Sequence, residues 1–201
     1  MVGGRDRIAG GTWLAVRPDP PAVAALLNGQ RLPPPANGVR PSRGGLPLAA
    51  LTGTARLTAT DLAGYDGFHL ILGTPSAVTV WTWDGKTVER TELGPGNHII
   101  VNDGIDHAAD PLVPHFQPLL ERLPAPLPPD GSWQPWLDLL RGDGLAGDDP
   151  RALIVRREIA DQTYGSSSAS VIGLPAGGGV RFAFTATPAN PSWYDVDVPP
   201  A

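Results

Sequence analysis

Phe68-His69-Leu70-Ile71-Leu72-Gly73, followed after a short break by Ala77-Val78-Thr79-Val80-Trp81-Thr82-Trp83-Asp84-Gly85, is the stretch that decides the fold. The first run is apolar throughout. The second alternates with a period of two, the mark of a strand with one face buried. Asp84-Gly85 signals a two-residue hairpin leading into Lys86 to Leu93. Gly94-Pro95-Gly96 then turns the chain into His98-Ile99-Ile100-Val101. The pattern predicts an antiparallel meander of about four strands.

On the N-terminal side, Gly10-Gly11 introduces a strand over Thr12 to Val16, Pro18 to Pro21 form a turn, and Ala22 to Leu27 read as a buried strand ending at Asn28. These make a second hairpin. Residues 31–45 are a Pro/Gly-rich connection, and Leu46 to Leu51 open a short helix, since Pro47 is tolerated in a first helical turn. On the C-terminal side, Phe116, Leu119, Leu120 and Leu123 recur at helical spacing within Pro114 to Leu123. A second linker runs from Leu123 to Gly131, an amphipathic helix from Trp133 to Leu140, and a Gly-rich loop continues to Pro150. Residues 124–150 thus read as a Pro/Gly-rich insertion and loop within one domain spanning 1–201. Arg151 to Ile159 fits either helix or strand. Ala169 to Leu174 and Val180 to Thr185 read as a hairpin, and the Pro-rich tail as frayed. The expected class is α+β with a mostly antiparallel sheet, and the absence of alternating βαβ units disfavours a doubly wound nucleotide fold.

Composition narrows the chemistry. Formal net charge is −5 and no basic stripe is present, so a nucleic-acid partner is not expected. No apolar run is long enough for a membrane span, and the first dozen residues lack the apolar segment of a signal peptide. A cytoplasmic location is the default expectation. The sequence holds no cysteine, which excludes disulfides, thiolate metal sites and a cysteine nucleophile among these 201 residues.

Most motifs have a plain reading. No G-x-S-x-G elbow, Walker loop or G-x-G-x-x-G turn is present. Ser166-Ser167-Ser168 after Gly165 reads as a loop entering a strand. His98, Asp103 and His107 lack helical ligand spacing and read as loop residues, so no metal is expected; His69, inside an apolar strand, reads as a satisfied core histidine. Asp143, Asp148 and Asp149 sit in a solvated loop. Arg43 and Asn102 are better candidates. Arginine carries a rigid fork of donors for a carboxylate or phosphate. An asparagine amide can donate to a developing oxyanion. Loop or turn fixation is the competing role for both.

Several segments together resemble a known family. Gly3-Gly4-Arg5-Asp6 followed by Ala9-Gly10-Gly11-Thr12-Trp13-Leu14-Ala15-Val16 is similar to the "GRD…GGTWLGV" signature of the NRDE, or transport and Golgi organisation 2, family. Ala24-Ala25-Leu26-Leu27-Asn28 resembles "AALTN", Ser42-Arg43-Gly44 "SRG", and Tyr65-Asp66-Gly67-Phe68-His69-Leu70 "YNGFNL". Leu93-Gly94-Pro95-Gly96-Asn97-His98 with Val101-Asn102 resembles "L-x-PG-x-H/Y…SN", and Tyr164-Gly165-Ser166-Ser167-Ser168 lies where the family has "YGTRS". Each is weak alone; their order is specific.

The resemblance implies two stacked, mostly antiparallel sheets flanked by helices, like the N-terminal-nucleophile hydrolases, here lacking the first strand or strands. Family members begin with Met-Cys and carry an Asn-Arg-Asp-Glu tetrapeptide upstream of the GGTW segment, so the expectation is an N-terminally truncated member. A start placed too late is favoured over a truncated non-catalytic form, because losing a central strand would leave backbone groups unpaired. By analogy with the hydrolases, Asn28 and Asn102 would lie near an oxyanion position. The expected function is small-ligand binding or trafficking at Asn28, Arg43 and Asn102, with no catalytic residues and no cofactor, and with haem as the ligand to try first. The rivals are an amide hydrolase of the terminal-cysteine type, whose nucleophile this sequence does not contain, and an interaction scaffold anchored by Trp133 and Trp136. The oligomeric state is left open.

Overall fold

The period-two runs become strands. The computed structural model of the protein describes residues 1–7, 10–33, 38, 40–124 and 133–200, and the chain clusters into two compact units. One holds Met1–Asp106, Ala176–Gly179 and the last residues, the other His107–Pro175 and Val180–Val198. Ala9 of the GGTW segment, part of the first Pro/Gly-rich connection and most of the second linker lie outside the described residues.

The first unit is built on a six-stranded sheet whose spatial order is its chain order, β1 (Val2–Gly3), β2 (Leu14–Arg17), β3 (Ala22–Asn28), β4 (Phe68–Gly73), β5 (Val78–Trp83) and β6 (Val88–Leu93). Every neighbouring pair is antiparallel. Between β3 and β4 come a 3-10 turn (Arg43–Gly45), α1 (Leu46–Thr52) and α2 (Ala59–Leu62). Pro47 sits at the start of α1, where its missing N–H breaks no helical bond, and Gly53 ends the helix at φ 71°.

Alternation sorts the side chains into two faces. Ala22, Ala24 and Leu26 of β3 share a face with Phe68, Leu70 and Trp83, and this face packs on Leu46, Ala50 and Leu51 of α1 and on Leu62 of α2. The small alanines of β3 let the helix approach closely. Burying a side chain such as Phe68 or Leu70, each 0% exposed, contributes about 1.5–3 kcal/mol. Val16, Val80 and His69 are buried on the opposite face.

One predicted strand departs from the sheet. Ile100–Val101 (β7) pairs with Gly104–Ile105 (β8) in a separate hairpin instead of extending the meander. Local bonds explain it: Asp106 N–H donates to the Ile99 carbonyl at 2.7 Å, and its carboxylate accepts the Ile99 N–H at 2.7 Å. These require Asp106 at φ 49°, which its short polar side chain tolerates.

In the second unit α3 (Leu112–Leu120) buries Val113 and Phe116, while α4 (Gln134–Leu139) buries no residue of its own. Trp133, expected at the surface, is 7% exposed and lies under the Arg181 guanidinium, 4.9 Å from its ring centre. Trp136 is half-buried and its indole N–H donates to the Pro124 carbonyl. The ambiguous Arg151–Ile159 stretch resolves as strand at its end: β9 (Arg156–Ile159) pairs with β10 (Gln162–Gly165) in a fully exposed hairpin. The predicted C-terminal hairpin is present as β11 (Ala169–Gly173) and β12 (Arg181–Thr185). The tail is not simply frayed, because β13 (Tyr194–Asp195) adds to β12 and Tyr194 meets Phe184 edge to face at 5.6 Å. The chain is therefore α+β with antiparallel sheets and few helices.

Candidate ligand site

Two glycine-rich segments cross at the end of the first unit's sheet. Gly11 holds φ 77°, and a Cβ there would lie 2.3 Å from the Gly44 carbonyl oxygen. The buried Thr12 N–H donates to that same oxygen at 2.8 Å. Ser42 caps the 3-10 turn by accepting the Gly44 N–H. Only glycine at both crossing points lets the backbones come this close. The crossing holds Gly44 inside and turns the neighbouring Arg43 towards the end of β3.

There the guanidinium is fixed by two neutral acceptors. Nη2 donates to Asn28 Oδ1 at 2.7 Å and Nη1 donates to the Gly67 carbonyl at 2.7 Å. The Gly67 carbonyl also accepts the Gly29 N–H at 2.9 Å, tying β3's end to β4's beginning. The Arg43 Cζ stands 5.6 Å from the ring centre of Trp13, which is 44% exposed. The Thr12 hydroxyl bonds both the carbonyl and the N–H of Leu14, holding the chain around Trp13.

Electrostatics leave this cation without a counter-ion. Partial burial lowers the Arg43 pKa below its ordinary value; nearby Asp66 opposes that and Arg40 adds to it. Arginine nevertheless stays charged at neutral pH. Asp66 forms an ion pair with Arg40 and accepts the Leu32 N–H at 3.1 Å. Among the described residues no carboxylate forms an ion pair with Arg43.

Asn102 is placed differently. It lies exposed in the turn between β7 and β8, and its backbone carbonyl accepts the Nε2–H of His69 at 3.1 Å. A carbonyl can only accept, so Nε2 carries the proton, and in the neutral ring Nδ1 then accepts from the Thr82 hydroxyl at 3.0 Å. His69 is thus the satisfied core histidine expected from its apolar surroundings. Phe68, beside it in the chain, pairs with Asn28 on the helix-packed face. Asn28 and Arg43 therefore touch, whereas Asn102 is tied to the other face of the same strand. Trp13 and Gly67 were not singled out from sequence. An aromatic directly after two glycines and a threonine was the available signal.

The remaining polar clusters are local. His98 bonds Asp106 at 2.7 Å, His115 bonds Asp143 at 2.9 Å, and Ser166 accepts the Val155 N–H in the loop expected there. Among the described residues no group of three or more metal-binding side chains converges, and no helix is long and apolar enough to cross a membrane. A family model described as Transport and Golgi organisation 2 matches residues 1–125, a span that includes Trp13, Asn28, Arg43 and Asn102 but not the Tyr164–Ser168 segment. No curated protein and no solved structure gives a match.

Proposed function

As the chain belongs to the transport and Golgi organisation 2 family, we propose that it is a binding and trafficking protein for a small ligand held at Arg43 and Asn28, with Asn102 shaping the far side of β4. The observation that carries this reading is the half-buried Arg43 guanidinium, positioned by Asn28 and Gly67 and lacking an ionic partner among the described residues. Three of the family-like segments, containing Trp13, Asn28 and Arg43, are brought together there by the glycine crossing. The finer architecture, a hydrolase-like stack of two antiparallel sheets, belongs to the same proposal. Burial on both faces of the six-stranded sheet supports it.

Haem is the ligand to try first. Its propionates suit Arg43, and its flat ring suits Trp13. The iron has no such partner in this unit: both ring nitrogens of His69 are engaged by Thr82 and Asn102, and those of His98 by Asp106 and Gly94. The reading therefore rests on the ring and its acids rather than on axial ligation. Titrating the purified chain with haem while following the Soret band tests it. A saturable shift at micromolar haem is expected, and a flat titration would remove haem as the ligand.

A further inference from the structure

We propose that Arg43 and Trp13 form a receptor for the carboxylate of a flat, conjugated acid, with the acid on the outward N–H groups of Arg43 and the ring against Trp13. This rests on the ligand-binding reading above but does not require that the ligand be haem.

A guanidinium has five N–H donors. Two of Arg43's are used, by the Asn28 side chain and the Gly67 carbonyl, and both acceptors are neutral. They fix the plane of the group without cancelling its charge. The remaining donors suit a planar, two-point acceptor, the geometry in which arginine binds carboxylates best. Holding the fork in place beforehand also removes much of the ordering cost that binding would otherwise carry.

The local charge points to a single acid group. Arg40 is the other cation near Arg43, and Asp66 already pairs with it. One uncompensated positive charge matches a monoanion better than a phosphate dianion, which is normally met by several cations or donors. Trp13 supplies the second half of the site. A tryptophan 44% exposed beside a fixed cation leaves apolar ring surface in water, and a flat conjugated body would cover it.

The test uses the full chain with three probes: 1-pyrenecarboxylate, the neutral 1-pyrenemethanol and inorganic phosphate, with pyrene fluorescence anisotropy as the readout. The acid should bind saturably, and the alcohol about tenfold or more weakly, the loss expected for a charge-assisted hydrogen bond. Phosphate should compete only weakly. Arg43→Gln should abolish the preference for acid over alcohol, and Trp13→Leu should weaken both pyrene probes. The acid–alcohol comparison needs no variant, so it stands even if a substitution unfolds the chain. Equal binding of acid and alcohol, no binding of the acid, or displacement by stoichiometric phosphate would each overturn the proposal. Acid binding with a flat haem titration would remove haem and leave this inference standing. Haem binding unchanged in both variants would overturn the inference and leave haem carriage intact.

Discussion

Replacing Gly11 with alanine should destabilise the fold by about 2–5 kcal/mol. The first contribution is conformational: at φ 77° a side chain costs roughly 1–2 kcal/mol. The second is steric. The new Cβ would stand 2.3, 2.4 and 2.9 Å from the O, C and Cα of Gly44. All three are backbone atoms, so no rotamer change relieves the overlap. Moving the segments apart breaks the 2.8 Å bond from Thr12 N–H to the Gly44 carbonyl, and leaving that buried pair unmatched costs about 1–3 kcal/mol. Two neighbours separate these contributions. Gly53 shares the conformation, at φ 71°, but has open space around it, so Gly53→Ala should lose only the conformational part, roughly 1–2 kcal/mol. Gly45, at φ −80° with nothing within 4 Å, should tolerate alanine without loss or gain up to about 1 kcal/mol. Urea titrations of the three variants measure this, with a common slope checking that the unfolding reaction is unchanged. If Gly11→Ala unfolds no more easily than Gly53→Ala, the crossing is looser than described and the placement of Arg43 loses its basis.

Two further outcomes are expected. The His98 pKa is raised, first by its hydrogen bond to Asp106 and then by the Gly94 carbonyl, against a smaller opposing effect of burial. The pair's stabilisation is therefore complete below the ordinary pKa of 6.5 and fades as pH rises through the higher folded value. With side chains 27% and 38% exposed, solvent screening holds it under about 1 kcal/mol. Asp106→Asn keeps an acceptor for Ile99 while removing the charge, so an NMR titration of the His98 ring should show its pKa falling; an unmoved value would refute the assignment. Pro118, exposed inside α3, supplies no N–H to the preceding turn, so Pro118→Ala should stabilise the chain by about 1–3 kcal/mol, and a melting temperature that holds or drops would count against it.

The strands of the central sheet were legible because burial on one face writes itself into alternating residues, as in Val78–Trp83. Elements held by one or two local contacts left no such trace. β7 and β8 depend on how Asp106 bonds Ile99, and β13 is two residues among prolines. The hairpin turn shows the same limit: Asp84 N–H bonds the Thr87 carbonyl, so the turn centres on Gly85-Lys86 rather than on Asp84-Gly85. At the site, Arg43 and Asn28 were legible as residue types suited to binding, and Arg43 as a fork for an anion. That they touch was not, since they are 15 residues apart and meet only through the crossing of Gly11 with Gly44. Trp13 was read as one more strand residue, because nothing in its neighbours states that the chain around it turns the ring outward.

The bond from Gly29 N–H to the Gly67 carbonyl has a chemical consequence over time. In Asn-Gly sequences the glycine nitrogen can close on the asparagine side chain, expelling ammonia and leaving an acid after hydrolysis. Here that nitrogen is engaged across the strands, and the Asn28 carboxamide is held away by Arg43. The contacts that shape the pocket thus also slow its ageing, preserving a neutral amide where an acid would neutralise the cation.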